Sequence, residues 1–299
     1  MQIRIPLKIH CWGGLGSQLY AWALFERLQK RFPQRNVQLI LHSDGVTRRI
    51  SELDKLFSEE ELFSVDDFKN GADLQTGAAR SSIRIPSKYR ISKFGLFCFK
   101  ITKRVLMKLG FVSICSTEFE FTQVRLWAIS VRGHYSKLKI SSETFALMKS
   151  RTSAFQLYYF EPEEEIQESI AVHFRLGDLL ELDSKRPIEA KRISTCIAML
   201  NKKDIFVLSD SPETALKRLS LLLQSSNLTI KNYNIWDTIK FLISVDTFIG
   251  SPSKISEWVT AIRIFDSSNK KLNFLPLEMK SQMETILELK HEVGRISYY

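Results

Sequence analysis

From residue 169 onward, short apolar runs alternate with segments of helical periodicity, and this alternation limits the possible folds more than any other feature of the chain. The run 169–173 is bounded by charged residues, as a buried strand would be, and further runs lie at 204–208 and 247–249. Strands that alternate with helices form parallel sheets. The second half of the chain is therefore predicted to be an α/β domain.

Polar side chains stand where these three strands end. The three tips carry, in chain order, His173, Arg175 and Asp178, then Ser209 and Asp210, then Ser251 and Ser253. The carboxyl ends of parallel strands meet at one edge of the sheet, which is where open α/β sheets bind ligands. An arginine fork with serine hydroxyls suits a diphosphate, and a carboxylate suits the N–H edge of a guanine. Together the tips predict a nucleotide-sugar donor site.

Each of these residues also has a structural interpretation. Arg175 and Asp178 could close a turn as an ion pair, and His173 could be hydrogen-bonded within its own strand. Asp210 could simply begin a helix, and the serines could be ordinary helix caps. The convergence of three tips on one edge is what favours a ligand site.

The first half begins with a strand and a glycine loop. Residues 3–10 alternate as a strand does and lead into Gly13, Gly14 and Gly16, after which apolar residues recur at helical spacing. Such glycines let backbone N–H groups approach a phosphate or sugar at a helix N-terminus, although a closely packed turn would need them equally. The loop lacks the Lys-Ser/Thr of a P-loop and the third glycine of a dinucleotide fingerprint. Residues 37–41 predict a second strand, and 51–68 predict one or two surface helices.

The formal net charge is +10, which favours phosphate-bearing partners. The basic insertion 80–108 contains no acidic residue and interleaves its cations with apolar and aromatic side chains. Such a segment can lie on an anionic bilayer, and it is also compatible with a nucleic-acid patch or a solvated helix face. We favour peripheral membrane contact and expect no nucleic-acid partner.

The four cysteines are scattered without metal-ligand spacing, so neither a metal site nor a disulfide framework is expected. The sequence shows no secretion-signal core and no apolar stretch long enough to span a bilayer. These features predict a cytoplasmic protein, associated with the inner face of the membrane if 80–108 binds there. The charged, Pro-containing stretch 160–165 is the candidate linker between an N-terminal domain, 1–160, and a C-terminal domain, 161–299.

Five segments resemble, in order, the successive motifs of the alpha-1,2-fucosyltransferase family. They are the glycine loop 13–20 and the segments 131–136, 173–178, 207–210 and 247–258. The resemblance implies a GT-B-like fold of two facing Rossmann-like α/β domains with parallel sheets. It also implies inverting transfer of fucose from GDP-fucose to a glycan hydroxyl, without a metal or other cofactor.

The resemblance implies roles for individual residues as well. Arg175 matches the catalytic arginine that holds the donor phosphates and steadies the leaving GDP. His173 and Asp210 match positions at the guanine, and Ser251 or Ser253 matches the phosphate-binding turn. The glycine loop would close over the donor from the N-terminal domain.

Two departures from the family pattern bear on the donor. Leu176 stands where a second arginine is usual, which removes one cation expected near the diphosphate, and Ser17 stands where asparagine is usual. Three alternative functions stay open: transfer of another GDP-linked sugar, NAD-dependent oxidation on a Rossmann sheet, and non-catalytic docking on membrane or nucleic acid. The sequence identifies neither the general base nor the acceptor.

Overall fold

The computed structural model describes residues 5–43, 50–65, 93–161, 166–176, 190–200, 204–223, 227–266, 271–287 and 295–299. The chain forms two compact units, Met1–Lys139 with Ala146–Arg151 and Ile140–Phe145 with Thr152–Tyr299. The division falls within the helix Ser142–Ala154. Phe160, the first residue of the predicted linker, is fully buried and packs against Phe145 and Trp236 in the second unit.

The first unit is built on a five-stranded sheet with the order β3-β2-β1-β5-β4, and every strand pair is parallel. Its strands are β1 (Leu7–Trp12), β2 (Val37–His42), β3 (Leu62–Val65), β4 (Val112–Ile114) and β5 (Ser130–Arg132). The helices that accompany them are α1 (Leu15–Arg31), α2 (Lys93–Lys108), α3 (Glu118–Thr122) and the part Ala146–Arg151 of α4 (Ser142–Ala154), with a short 3-10 helix at Asp54–Leu56.

The core of the first unit lies between β1 and α1. Alternate residues of β1 are buried, as the pleat of a strand requires, and α1 is buried along most of its length. Arg151 joins the start of β3 to this core, because its guanidinium donates to Glu26 Oε1 at 2.6 Å and to both carboxylate oxygens of Glu61 at 3.0 and 3.1 Å. The same guanidinium lies 4.5 Å from the centre of the Phe57 ring. An ion pair shielded in this way holds the edge strand to the helix layer.

The second unit is built on a six-stranded parallel sheet with the order β11-β10-β9-β6-β7-β8. Its strands are β6 (Ile166–His173), β7 (Asp204–Leu208), β8 (Asn227–Ile230), β9 (Val245–Ile249), β10 (Leu272–Leu275) and β11 (Ile296–Tyr298). Its helices are α5 (Ala190–Leu200), α6 (Pro212–Ser220), α7 (Ile235–Ser244), α8 (Lys254–Phe265) and α9 (Lys280–Ile286).

Strand β6 occupies the middle of this sheet, paired with β7 on one side and β9 on the other. Its buried residues continue beyond the strand into Phe174 and Leu176, which are fully buried with α5, α6 and β7 in one apolar cluster. Burial on this scale is the main stabilising term of such a domain. It also fixes the carboxyl end of β6 between the ends of its two neighbours.

The two parallel sheets, one in each unit and both accompanied by helices, confirm the predicted α/β class with parallel sheets. Of the one or two surface helices predicted for 51–68, the described part 51–65 contains the short 3-10 helix Asp54–Leu56, but the prediction is wrong at Leu62–Val65, which forms the edge strand β3. Main-chain pairing with β2, from Leu39↔Leu62 to His42↔Val65, outweighs the helical spacing of the apolar residues. No helix in the described part of the chain is both long enough and apolar enough to cross a bilayer.

Candidate functional site

Hydrogen bonds join the three strand tips of the second unit. The amide of Arg175 donates to Ser251 Oγ at 2.9 Å, and the amide of Leu176 donates to Asp210 Oδ1 at 2.8 Å. The amide of Phe174 donates to the carbonyl of Leu208 at 2.9 Å. The segment that leaves β6 is therefore fastened on one side to the turn after β9 and on the other to the turn after β7.

Arg175 is the cation that this turn presents. It is partly exposed, whereas its neighbours Phe174 and Leu176 are fully buried in the apolar cluster. Leu176, at the position where the family resemblance expects a second arginine, is thus a core residue whose amide serves the turn. The local sequence explains this arrangement, because apolar residues on both sides of one arginine anchor its backbone in the core.

His173 is the last residue of β6 and is only 8% exposed. Its Nδ1 lies 2.9 Å from Ser256 Oγ and 3.4 Å from Ser253 Oγ, and the Ser253 hydroxyl donates to Ser256 Oγ at 3.1 Å. Burial lowers the pKa of His173 to about 4, with Asp210 opposing and Arg175 reinforcing the shift, so the ring is neutral at pH 7. We infer from the Ser253-to-Ser256 direction that Ser256 in turn donates to Nδ1, which assigns the ring proton to Nε2.

The turn between β9 and α8 is built from buried serines. Ser251 is fully buried, and Ser253 is the N-cap of α8, where its Oγ accepts the amide of Ser256 at 3.0 Å. The hydroxyl of Tyr299 donates to the carbonyl of Gly250 at 2.7 Å. A Cβ at residue 250 would lie 2.6 Å from Leu275 Cδ2 and 2.9 Å from Ser256 Cβ, so the close packing of the turn favours glycine there. The turn is therefore rigid and directs the N-terminus of α8 toward the carboxyl edge of the sheet.

Ser209 and Asp210 form the turn after β7. Ser209 Oγ accepts the amide of Ser211 at 3.1 Å, and Asp210 is exposed while one of its oxygens holds Leu176. Ser211 is the N-cap residue of α6 and Pro212 is its first residue, without a side-chain cap hydrogen bond. The carboxylate of Asp210 thus both stabilises the main chain of the tip and faces solvent.

The glycine loop follows β1 in the first unit. Gly13 has φ of +107°, a value that favours glycine, and a Cβ there would lie 2.9 Å from Ser17 Oγ. Gly14 is the N-cap of α1, and its carbonyl accepts the amides of Ser17 and Gln18 at 2.8 and 3.2 Å. Gly16 lies buried in the first turn of α1. The three glycines therefore shape one tight strand-to-helix turn.

Gln18 fastens this loop to a second segment, a role that the sequence did not indicate. Its Nε2 donates to the carbonyls of Gly13 and Ile50 at 3.2 and 2.9 Å, and its Oε1 accepts the amide of Glu52 at 2.9 Å. Gln18 is 2% exposed. Because the side-chain amide of Gln18 both donates and accepts, it fixes the distance between the main chain of the glycine loop and that of residues 50–52.

A ring cluster at the carboxyl edge of the first sheet was also missed. The Trp12 and His42 rings stack at 4.3 Å with an angle of 9°, and His10 Nδ1 lies 3.0 Å from His42 Nε2. Arg132 covers Trp12 at 5.5 Å. His10 and Trp12 share one face of β1, and Trp12 pairs with His42 in the ladder, so strand register is the signal that would have found the cluster.

Of the predicted site residues, the structure brings together His173, Arg175, Asp210, Ser251 and Ser253 and places Ser209 beside them. Asp178 lies outside the described residues. Over the described ranges, no three His, Cys, Asp or Glu side chains are grouped as metal ligands would be. Metal-independent action stays a prediction.

No protein-family model and no curated protein matches the sequence. Among solved structures, the chain is similar to Escherichia coli heptosyltransferase WaaC with ADP, at 9% identity and a TM-score of 0.47, over 98% of this chain and 96% of that one. It is similar to POFUT1 in complex with GDP, at 12% identity and a TM-score of 0.39, over 88% and 96%. It is also similar to the fucosyltransferase NodZ from Bradyrhizobium, at 14% identity and a TM-score of 0.38, over 86% and 93%. These neighbours are glycosyltransferases, and at such values the likeness says nothing about the substrate of this chain.

Proposed function

We propose that this chain is an inverting glycosyltransferase that transfers fucose from GDP-fucose to a hydroxyl of a glycan. The observation that carries the proposal is the junction of three strand tips, in which the backbone of Arg175 is held by Ser251 and the next residue by Asp210. A rigid turn that combines an arginine, serine hydroxyls and the N-terminus of a helix suits a nucleoside diphosphate. The family resemblance of the motifs supports guanine and fucose as the base and the sugar.

The proposed roles follow from the chemistry of each group. Arg175 binds the diphosphate as a bidentate donor, and the first turn of α8 after Ser253 adds main-chain N–H groups. Asp210 accepts the N–H groups of the guanine. His173 holds Ser253 and Ser256 in place, and the tautomer inferred above leaves Nε2–H as a donor for the nucleotide. The glycine loop Gly13, Gly14 and Gly16 stays a predicted substrate-binding element of the first unit.

The reaction proposed is a direct displacement. An acceptor oxygen forms a bond to C1 of the sugar while the bond from C1 to the β-phosphate oxygen breaks, and the electron pair of that bond leaves with GDP. Arg175 stabilises the negative charge that develops on the β-phosphate. Removing a group in this role typically lowers the rate by about two to three powers of ten.

The first experiment is thermal unfolding with GDP, GDP-fucose, GDP-mannose, UDP or NAD for the wild type, Arg175→Ala and Arg218→Ala. Arg218 is the matched control, because it lies on α6 away from the strand tips. A ligand at about a hundredfold over its Kd adds about 2.7 kcal/mol of stability. We expect GDP and GDP-fucose to stabilise the wild type and Arg218→Ala, but Arg175→Ala much less. Stabilisation by NAD alone, or an equal response of all three proteins, would contradict the proposal.

We also propose peripheral contact of α2 with an anionic membrane. Ile101, Val105 and Leu109 are exposed at and just beyond the end of α2, together with the cations Arg104 and Lys108. Residues 80–92 of the basic insertion lie outside the described residues. Sedimentation with phosphatidylglycerol vesicles should carry the protein down, and pure phosphatidylcholine vesicles should not. Equal behaviour with both lipids would remove this part of the proposal.

A further inference from the structure

An exposed tryptophan stands at the amino-terminal edge of the first sheet. Trp127 lies between α3 and β5, shortly before the strand begins at Ser130, and it is 48% exposed. The sequence has five tryptophans, all within the described residues, and the other four are 7% exposed or less. Trp127 is therefore the one described tryptophan whose ring is available to a partner at the surface.

The main chain around Trp127 is held firmly. The buried guanidinium of Arg35 donates to the carbonyls of Leu126 and Ala128, on either side of Trp127. The amide of Ala128 donates to the carbonyl of Arg125 at 3.0 Å, which closes a turn around the tryptophan. The exposure of the ring therefore belongs to a rigid turn that presents it to the surroundings.

The ring of Trp127 contacts the chain at the end of α2. Its Nε1–H donates to the carbonyl of Leu109 at 2.8 Å, and the guanidinium of Arg125 lies 5.9 Å from the ring centre. Leu109 is 54% exposed, and Val105 and Ile101, one and two helical turns earlier, are 47% and 45% exposed. These four apolar side chains, Ile101, Val105, Leu109 and Trp127, form one exposed apolar stripe, the Trp127 stripe.

The carbonyls at the end of α2 are hydrogen-bonded although this end of the helix is exposed. The amides of residues 109–111 donate to the carbonyls of residues 105–107 at 2.9 to 3.0 Å, and Gly110 has the φ of +77° that such a helix ending favours. Trp127 adds the bond to the carbonyl of Leu109. Water would satisfy these carbonyls in an exposed helix end, whereas an unpaired carbonyl is costly in a bilayer. The end of α2 is therefore suited to an apolar environment as it stands.

The charge around the Trp127 stripe is of one sign. Arg104, Lys108 and Arg125 are exposed beside it, and the sequence has no Asp or Glu between residues 74 and 117. Cations next to an apolar stripe match the anionic headgroups and the acyl-chain boundary of a bilayer. The charge therefore favours an anionic lipid surface as the partner of the stripe.

We propose that the Trp127 stripe inserts into the interface of an anionic bilayer, with Trp127 as its anchor at the level of the headgroups. Arg104, Lys108 and Arg125 then contact lipid phosphates. This inference rests on the membrane contact of α2 in the proposed function, and it adds a second element to that contact, the turn before β5. Tryptophan suits the position because its ring is amphipathic and rigid.

The first test follows tryptophan fluorescence of the wild type. With phosphatidylglycerol vesicles the emission should shift to shorter wavelength, and lipids brominated near the headgroup should quench it more than lipids brominated at the end of the acyl chain. Added salt should release the protein and reverse the shift. Because the other four tryptophans are shielded, the shift should vanish in Trp127→Phe. A shift that persists in this variant would overturn the inference.

The second test is sedimentation with phosphatidylglycerol vesicles. Trp127→Ala should weaken binding by about tenfold, because a large apolar side chain no longer leaves water. Ile50→Ala is the matched control. Ile50 is 68% exposed in the same unit, but it lines a cavity of about 460 Å³ at the carboxyl edge of the first sheet, at the other end of the strands. This control should bind as the wild type does, and equal binding by Trp127→Ala would contradict the role of Trp127.

The two tests separate this inference from the proposed function. If phosphatidylglycerol vesicles carry the protein down but neither the emission nor the binding of Trp127→Ala changes, the inference fails and the contact through α2 stands. If these vesicles do not bind the protein, or phosphatidylcholine vesicles bind it equally, the membrane part of the proposed function fails and the inference fails with it. Stabilisation by GDP tests the transferase proposal independently of both results.

Discussion

The amino-terminal edges of the two sheets are built alike. In the first unit, Arg35 is 2% exposed and donates to the main-chain carbonyls of Ile5, Leu126 and Ala128, just before β1 and β5. In the second unit, Arg263 is 1% exposed and donates to Asn273 Oδ1. It also donates to main-chain carbonyls around the starts of β9 and β10, those of Leu242, Ile243, Val245, Asp246 and Leu272.

The carboxyl-terminal edges differ. The first carries stacked rings and a cavity without a described cation, and the second carries buried serine hydroxyls and the partly exposed Arg175. The arrangement at the amino-terminal edges, which both sheets have, serves a structural need: the buried main-chain carbonyls at the strand starts must be hydrogen-bonded. The edges that differ are therefore where the two units are specialised. We expect substitutions at the amino-terminal edges to lower stability, and substitutions at the carboxyl edge of the second sheet to change nucleotide binding as well.

The largest expected effect is a loss of stability on substitution at the amino-terminal edges of the two sheets. Arg263→Met and Arg35→Met each remove a buried guanidinium and leave several carbonyls unsatisfied, so each should lower the free energy of unfolding by about 3–5 kcal/mol. Urea unfolding followed by circular dichroism measures the loss. Arg125→Met, at an exposed position, should change stability by less than about 0.5 kcal/mol. Small losses in both buried variants would show that water replaces the guanidinium.

The second effect concerns two strand histidines, the buried His173 and the partly buried His10. The pKa of His173 is lowered to about 4 in the folded protein and that of His10 to about 2, mainly by burial. Between pH 6.5 and 4 the unfolded chain takes up a proton that folded His173 does not, so stability falls as pH falls, by about 1.4 kcal/mol per unit. The total for His173 is about 3 kcal/mol, and below pH 4 its contribution is constant. For His10 the loss continues toward pH 2.

Substitution separates the two histidines. His173→Gln should be less sensitive to acid than the wild type only above about pH 4, whereas His10→Gln should stay less sensitive below it. Unfolding in urea at a series of pH values measures these slopes. His134→Gln, at an exposed position, should follow the wild type. A slope for His173→Gln that matches the wild type would mean that His173 takes up its proton in the folded state.

The sequence predicted the second unit better than the first for a physical reason. There, β6, β7 and β9 are short apolar runs with polar tips, and their local patterns agree with the parallel pairing that forms. Once the strands are placed, parallel topology alone brings Ser251 and Asp210 to Arg175. The individual contacts were beyond prediction, because whether Ser253 meets His173 or solvent depends on rotamers and burial.

The features that were missed depend on long-range pairing. The apolar residues around Leu62–Val65 have helical spacing. The segment forms a strand because its main chain pairs with that of β2. The His10–His42 contact requires the register of two strands that are separated by a helix. No local signal in the sequence marks Arg263 as buried, because its partners are carbonyls at the starts of β9 and β10. Each of these features depends on contacts between segments that are distant in sequence, so the local sequence alone does not predict it.

The smallest effect gives the sharpest test of the unlike edges. Ser251→Ala removes the acceptor of the Arg175 amide, and Ser244→Ala removes a buried hydroxyl that donates to the carbonyl of Phe241 at 2.8 Å, at the other end of β9. Each should lower the free energy of unfolding by about 1 kcal/mol. Only Ser251→Ala should also weaken stabilisation by GDP, since it frees the backbone that aims Arg175. The two variants are matched in burial and in chemistry. Equal GDP affinity in both would therefore show that Ser251 has no part in nucleotide binding and only stabilises the turn.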